Sequence, residues 1–418
     1  MREFVETIVV GGGQAGLAAS YWLARARRPH LVLERSAHAA HAWRDQRWDS
    51  FTLVTPNWQV RMPGAEYAGP EPDGFLARDQ VVDYFEQYIA RFRLPVRYGV
   101  EVWSISRNAA GAYSIATNSG AYESHNVVIA TGFYQRPKIP AVAGKLPPQI
   151  RQMHSSQYRN PGALSPGAVL VVGAGQSGAQ IAEELYLNGR RVFLSVGRTV
   201  RLPRRYRGRD IHRWSEALGL LDRTVDELPS PREKFELHPT ISGRAGGRTL
   251  NLHRFARDGV ILLGRLQDVQ SSALIFAPDL RDHLAEADEC EAKMVQAIDT
   301  FIRDTGLQAP PETLPNLRDG YAAQPIPRLD LAAGGVTNVI WASGYTSDYS
   351  LVQLPVVDGD GYPIQRRGVT EFPGLYFLGM PWIHTRKSGI LFGVGDDAEY
   401  VVSRILDSAR TLQPAMAS

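Results

Sequence analysis

One local pattern occurs twice in this chain and limits what the chain can fold into. A short β-branched strand runs into a glycine turn, the turn opens a helix, and a second strand follows. The first copy reads Thr7-Ile8-Val9-Val10, then Gly11-Gly12-Gly13-Gln14-Ala15-Gly16, a helix over 14–26 and a strand at 30–34. The second reads Ala168 to Val172, then Gly173-Ala174-Gly175-Gln176-Ser177-Gly178, a helix over 177–188 and a strand at 192–196. Each turn has the spacing GxGxxG. Placed between strand and helix, the first glycine permits the tight turn and the second lets the backbone approach a pyrophosphate. The third lets helix and strand pack closely, and the helix N-terminus supplies free N–H groups.

The expected fold is therefore α/β, with two Rossmann-like dinucleotide-binding domains. The residues that follow each second strand separate the two ligands. The first copy ends in Glu34, a carboxylate able to accept from ribose hydroxyls, followed by Arg35. The second has no acid there; it has Ser195, Val196 and then Arg198. A carboxylate at that position repels a 2′-phosphate, whereas serine and arginine bind one. The first site is thus read as the FAD site and the second as the NADPH site. Further arginines follow at 201, 204, 205 and 207, most of them expected in a solvated loop. Two dinucleotides in one chain imply a nicotinamide that reduces a flavin.

The rest of the chain arranges itself around these two units. Val81, Val82, Phe85, Tyr88, Ile89 and Phe92 mark one face of a helix over 78–92. A buried strand at 127–130 ends in Thr131-Gly132, and a proline-rich stretch over 137–148 suits a connection between domains. Helices are expected over 250–258, with Gly259 as C-cap, and over 281–304. A proline-rich loop follows over 307–328, then strands at 339–341 and 375–378, and a closing helix at 398–406. This places the FAD domain at 1–160 and 335–418, with the NAD(P)H domain at 161–334 inserted in it. The arginine-rich segment 201–250 reads either as a lid over the NADPH site or as a dimer contact.

Composition excludes several classes. A net charge of +3 on 418 residues argues against bulk binding to nucleic acid or to an anionic membrane. No apolar run approaches a membrane span, and the N-terminus reads as a strand rather than a signal peptide, so the cytoplasm is the expected location. Cys290 is the one cysteine, which rules out an internal disulfide, a CxxC redox pair and a cysteine zinc cluster. No HExxH or comparable cluster is present, and no metal is expected.

Beyond the glycine turns, the chain carries Ala42-Trp43-Arg44, Val128-Ile129-Ala130-Thr131-Gly132, Trp341-Ala342-Ser343-Gly344-Tyr345 and Gly374-Leu375-Tyr376-Phe377-Leu378-Gly379. With these it resembles, over nearly its whole length, the two-Rossmann flavin-dependent monooxygenases. These include the flavin-containing, Baeyer–Villiger and indole-pyruvate types. It is more similar to a bacterial branch labelled as flavoproteins of potassium or metal-ion transport. That family's motif, roughly FxGxxxHxxxY, is matched at His154 and Tyr158; its phenylalanine and glycine are replaced by Pro148 and Ile150. His154 then either coordinates domain position and NADP binding or is a structural histidine.

The resemblance implies a cycle in which NADPH reduces FAD and O₂ is the electron acceptor. A C4a-(hydro)peroxyflavin then oxygenates a small organic substrate. A homodimer is common among the apparent relatives. Ala130, Thr131, Gly132, Trp43 and Gly379 join the glycine-turn residues as cofactor contacts. The candidate catalytic residues are Asn57, His384 and Lys387, with Arg386 beside them. Asn57 is alternatively a turn residue, and 384–387 alternatively a surface loop. Gly393, Gly395 and Asp396 precede the last helix, with Asp396 as its expected N-cap. Two other functions fit the same residues: an NADPH:acceptor reductase or oxidase, and a non-catalytic FAD/NADPH redox sensor.

Overall fold

The computed structural model describes residues 2–412. Its first unit begins with β1 (Thr7–Val10), α1 (Gln14–Arg25) and β2 (His30–Glu34). It continues through α2 (Arg78–Phe92), β3 (Val96–Tyr98) and β4 (Asn126–Ile129). The second unit comprises β5 (Arg151–His154), β6 (Ala168–Val172), α3 (Gln176–Leu187) and β7 (Val192–Ser195). It then adds α4 (Leu252–Arg257), β8 (Ile261–Leu263), α5 (Leu280–Thr305) and β9 (Val336–Trp341). The chain returns to the first unit with β10 (Leu375–Phe377) and closes with α6 (Val394–Leu412).

Two five-stranded parallel sheets result. The first has the order β10-β4-β1-β2-β3 and the second β5-β9-β6-β7-β8. Position by position they superimpose in plan: β1 matches β6, β2 matches β7, β4 matches β9. Only the outer strand differs in origin, coming late in the chain for the first sheet and early for the second. The strands are short, β-branched and covered on both faces, as parallel strands must be. Ile8, Val9, Val127, Val128, Leu170 and Val171 are fully buried. At roughly 1.5–3 kcal/mol per buried aliphatic side chain, these runs hold the units together.

The second sheet takes strands from 151 to 341, so the unit extends beyond the expected 161–334 at both ends. The cause is β5, which pairs with β9 before the second glycine turn is reached. Smaller sheets also went unread in the sequence, and two of them are built wholly from strands of three residues or more. One joins Val102–Arg107, Tyr113–Thr117 and Gly120–Ser124 to the N-terminal Arg2–Phe4. The other joins Leu266–Gln270, Ala273–Phe276 and Arg328–Asp330.

The crossings between units lie side by side. Arg136–Pro137 pairs antiparallel with Tyr345–Thr346, and the Lys138 amide donates to the Gly344 carbonyl at 2.9 Å. Among the described residues no helix is long and apolar enough to cross a membrane.

Candidate functional site

The two glycine turns are built alike. Gly11 and Gly173 take φ of +108° and +107°, open to glycine but not to ordinary residues. A Cβ on Gly11 would stand 2.5 Å from the Ala130 carbonyl oxygen, and one on Gly173 2.6 Å from that of Ala342. Gly16 and Gly178 face the carbonyls of Gly11 and Gly173 so closely that a Cβ would collide with them. The middle glycines differ. A Cβ on Gly13 or Gly175 would meet nothing within 4 Å. Each is the N-cap of its helix, and neither α1 nor α3 has a side-chain cap. Free N–H groups therefore point into open space at both helix starts, the arrangement that receives a phosphate. Both turns fit a dinucleotide.

In the first unit the Glu34 carboxylate accepts from the Gly12 amide at 2.7 Å and the Ser36 amide at 2.8 Å. This fixes its orientation and leaves further lone pairs for a ribose. Arg35 beside it is exposed. Gln14 donates to the Gly389 carbonyl at 2.7 Å, tying the turn to the segment before α6. Gly379 has no room for a Cβ because Ala15 lies against it. Thr131 accepts from the Gln135 amide at 2.9 Å, which also donates to the Gly132 carbonyl. Trp43 packs against Phe51 with Arg47 over its ring at 5.4 Å. The sequence reading missed Arg47; burial pulls its guanidinium below its usual range, opposed by Tyr345 and Tyr134.

In the second unit Ser195 has to be corrected. It is 2% exposed, its hydroxyl donates to the Gly264 carbonyl at 3.0 Å and it accepts from the Leu266 amide at 3.0 Å. It links β7 to the chain beyond β8, with its hydroxyl already committed to backbone. Arg198 is exposed, with no ion pair or hydrogen bond among the described residues. A second cation stands there: a Cβ on Gly197 would lie 3.5 Å from the Arg265 side chain. Arg265 is oriented by Asp279, at 2.5 Å from its Nε. Its distance from the motif hid it in the sequence. Ser177 is half-buried on the first turn of α3.

The arginine run beyond Arg198 is not a solvated loop. Arg201 pairs with Asp288 and Glu291 of α5, Arg204 with Asp210, and Arg207 with Asp299. The segment 201–250 is instead a bridge. Arg204 donates to the Val54 carbonyl at 2.6 Å, and the Arg213 guanidinium lies 3.9 Å from the Trp58 ring centre. The His384 carbonyl accepts from the Val225 amide at 2.8 Å, and the Arg386 amide donates to the Arg223 carbonyl at 3.0 Å. A roof from the second unit thus lies over the first.

Beneath this roof the catalytic expectations change. Asn57 is 3% exposed and both ends of its amide are tied to backbone, donating to the Glu71 carbonyl at 2.9 Å and accepting from the Leu76 amide at 2.7 Å. It shapes the 71–76 loop. Lys387 is not a free cation: its Nζ lies 2.8 Å from Asp222 and 3.3 Å from Asp396. Burial pulls the ammonium down, but these carboxylates outweigh it and hold its pKa above normal. Asp396 is in the first turn of α6 rather than at its cap, since the helix begins at Val394. His384 and Arg386 are half-buried where the roof meets the segment before α6. Burial lowers the Arg386 guanidinium, with Glu236 opposing and Arg223 adding to the shift.

Tyr134 stands beside the roof, and burial around its hydroxyl pushes the phenol up. It lies 3.2 Å from His238 Nε2 on the roof. His154 is fully buried, with Nδ1 2.9 Å from the Ser156 hydroxyl and Nε2 3.0 Å from the Gly344 carbonyl. Tyr158 donates to Glu184 at 2.8 Å. Both therefore brace the junction.

Comparison with known proteins agrees with this geometry. The model of the pyridine nucleotide-disulphide oxidoreductase family matches residues 8–209. A flavin-containing monooxygenase from Stenotrophomonas maltophilia shares the fold, with TM-score 0.64 and 20% identity over 97% of this chain and 99% of that one. An indole-3-pyruvate monooxygenase of rice (YUCCA1) is 32% identical over 47% of this chain and 49% of its own length. An uncharacterized CzcO-like oxidoreductase of Geobacillus kaustophilus is 36% identical over 97% of this chain and all of its own length. The chain belongs to the family of the CzcO-like oxidoreductases.

Proposed function

We propose that this protein is an FAD- and NADPH-dependent monooxygenase that uses O₂ to oxygenate a small organic substrate. One observation carries the reading: two uncapped helix N-termini, each behind an open glycine, serve two parallel sheets whose shared cleft is roofed by the chain itself. When bound, the flavin accepts hydride from the nicotinamide and passes the electrons on to oxygen. The protein's part is to position and to shield. The α1 N-terminus and Glu34 hold one dinucleotide; the α3 N-terminus, Arg198 and Arg265 hold the other. The roof keeps water from the space between them.

The lone Cys290 weighs against a dithiol acceptor. It sits half-buried on α5, and burial pushes its thiol up, away from the reactive thiolate form. The rice relative acts on indole-3-pyruvate by its name, and a carbonyl compound of that kind is one candidate substrate here.

The test is anaerobic reduction of the yellow protein by NADPH, then rapid mixing with oxygen. A spectrally distinct species persisting between the reduced and oxidised forms supports the reading. Direct return to oxidised flavin with stoichiometric peroxide, with every substrate tried, makes the protein an oxidase or a reductase instead.

A further inference from the structure

The cations around the cleft divide into two groups. Arg201, Arg204, Arg207, Arg213 and Lys387 each have a carboxylate partner. Arg386 has none among the described residues, although it is half-buried beneath the roof. A buried charge is normally paired, because removing it from water costs several kcal/mol. The NADPH phosphates do not answer for it, since their cradle is the second glycine turn with Arg198. Arg386 is three residues from Gly389, whose carbonyl anchors Gln14 at the first turn.

Two more polar atoms near it lack partners. His212 Nε2 and Trp58 Nε1 are buried without a hydrogen bond. The groups lie along one line of contacts: Arg213, the neighbour of His212, covers Trp58, Trp58 packs edge-on against Phe392 at 5.5 Å, and the Phe392 ring centre lies 5.4 Å from Nζ of Lys387, the neighbour of Arg386. Unpaired polar atoms gathered at one place mark a missing ligand.

We propose that Arg386 anchors an oxyanion of the substrate, with Trp58 Nε1 as a second donor beside the unpaired His212 Nε2, so that the substrate is an organic acid. This rests on the monooxygenase reading for the term substrate, but the binding is testable without turnover. The FAD-loaded protein is titrated with benzoate and with benzamide, and the oxidised flavin spectrum is followed. Benzoate should perturb it at a Kd about tenfold or more below that of benzamide, the scale of one hydrogen bond to a charged group. Arg386→Gln should abolish that preference while keeping stoichiometric FAD. Arg386→Lys, which retains the charge if the glutamine variant fails to fold, should keep part of it. Glu236→Gln should tighten benzoate by removing an opposing charge. Equal affinity for acid and amide in the natural protein overturns the proposal. So does an unchanged preference in Arg386→Gln, or loss of FAD from that variant, which would assign the guanidinium to the cofactor. None of these outcomes requires NADPH or oxygen, so failure here leaves the monooxygenase reading standing.

Discussion

Gln176 holds both backbone groups of Ile241: its amide nitrogen donates to the Ile241 carbonyl, and its amide oxygen accepts from the Ile241 nitrogen at 3.2 Å. The roof is thereby fastened to the second glycine turn at the first residue of α3. Gln176→Leu removes both bonds at similar size. We expect a KM for NADPH raised several-fold with FAD content unchanged, together with faster proteolysis within 228–240. Unaltered proteolysis would show that the roof is held elsewhere.

Gly13 and Gly16 predict opposite outcomes from similar substitutions. Gly13→Val places its side chain in open space, so the protein should fold and bind no flavin. Gly16→Ala drives a methyl into the Gly11 carbonyl, so it should lose stability rather than cofactor alone. Circular dichroism and flavin absorbance distinguish the two. A flavin-replete Gly13→Val would remove this turn from the site.

Arg198 and Ser195 separate likewise. Arg198→Ala should weaken NADPH by about 1.5–3 kcal/mol relative to NADH. Ser195→Ala should leave the coenzyme ratio alone and lower stability by roughly 1–3 kcal/mol, since two buried hydrogen bonds are lost. Steady-state kinetics with both coenzymes, beside thermal melts, provides the check.

Arg204→Met strands Asp210 in the interior. The pair is buried on both sides, and such a break costs about 3–5 kcal/mol. Arg204→Met with Asp210→Leu should recover most of that. If the single variant melts like the natural protein, the pair is not structural.

His212 links stability to acid. Burial, then the Arg204 and Arg386 charges, depress its pKa from 6.5 to about 3. The unfolded chain therefore binds the extra proton first. The stability it contributes is complete above about 6.5 and falls away as pH drops toward 3. His212→Asn should flatten the decline in Tm across that interval; an unchanged slope would assign the acid sensitivity to other groups.

Much of this was legible because strand, glycine turn and helix are local. TIVV, GxGxxG and the face of α2 each declare themselves within a few residues. What failed was long-range. Ser195 stands where a phosphate ligand belongs in the motif, but the bulge of chain after β8 turns its hydroxyl inward. Asn57 serves a loop 14 to 19 residues away. Arg201 and Arg207 looked like loop residues because their acids lie about ninety residues on, in α5. Arg265 and Arg47 were missed for the same reason. Pairing between distant segments leaves no periodic trace.

The hydrogen bond between Lys138 and Gly344 has an evolutionary reading. The second unit departs from the first and returns to it at a single point, so its two ends nearly touch. A module with adjoining ends can be spliced into a surface connection without spreading the host strands on either side. The matching strand orders of the two sheets then suit a history of copying followed by insertion. The same adjacency makes the inner unit a natural cassette: joining residues near 138 directly to residues near 344 should close the outer one with a short turn.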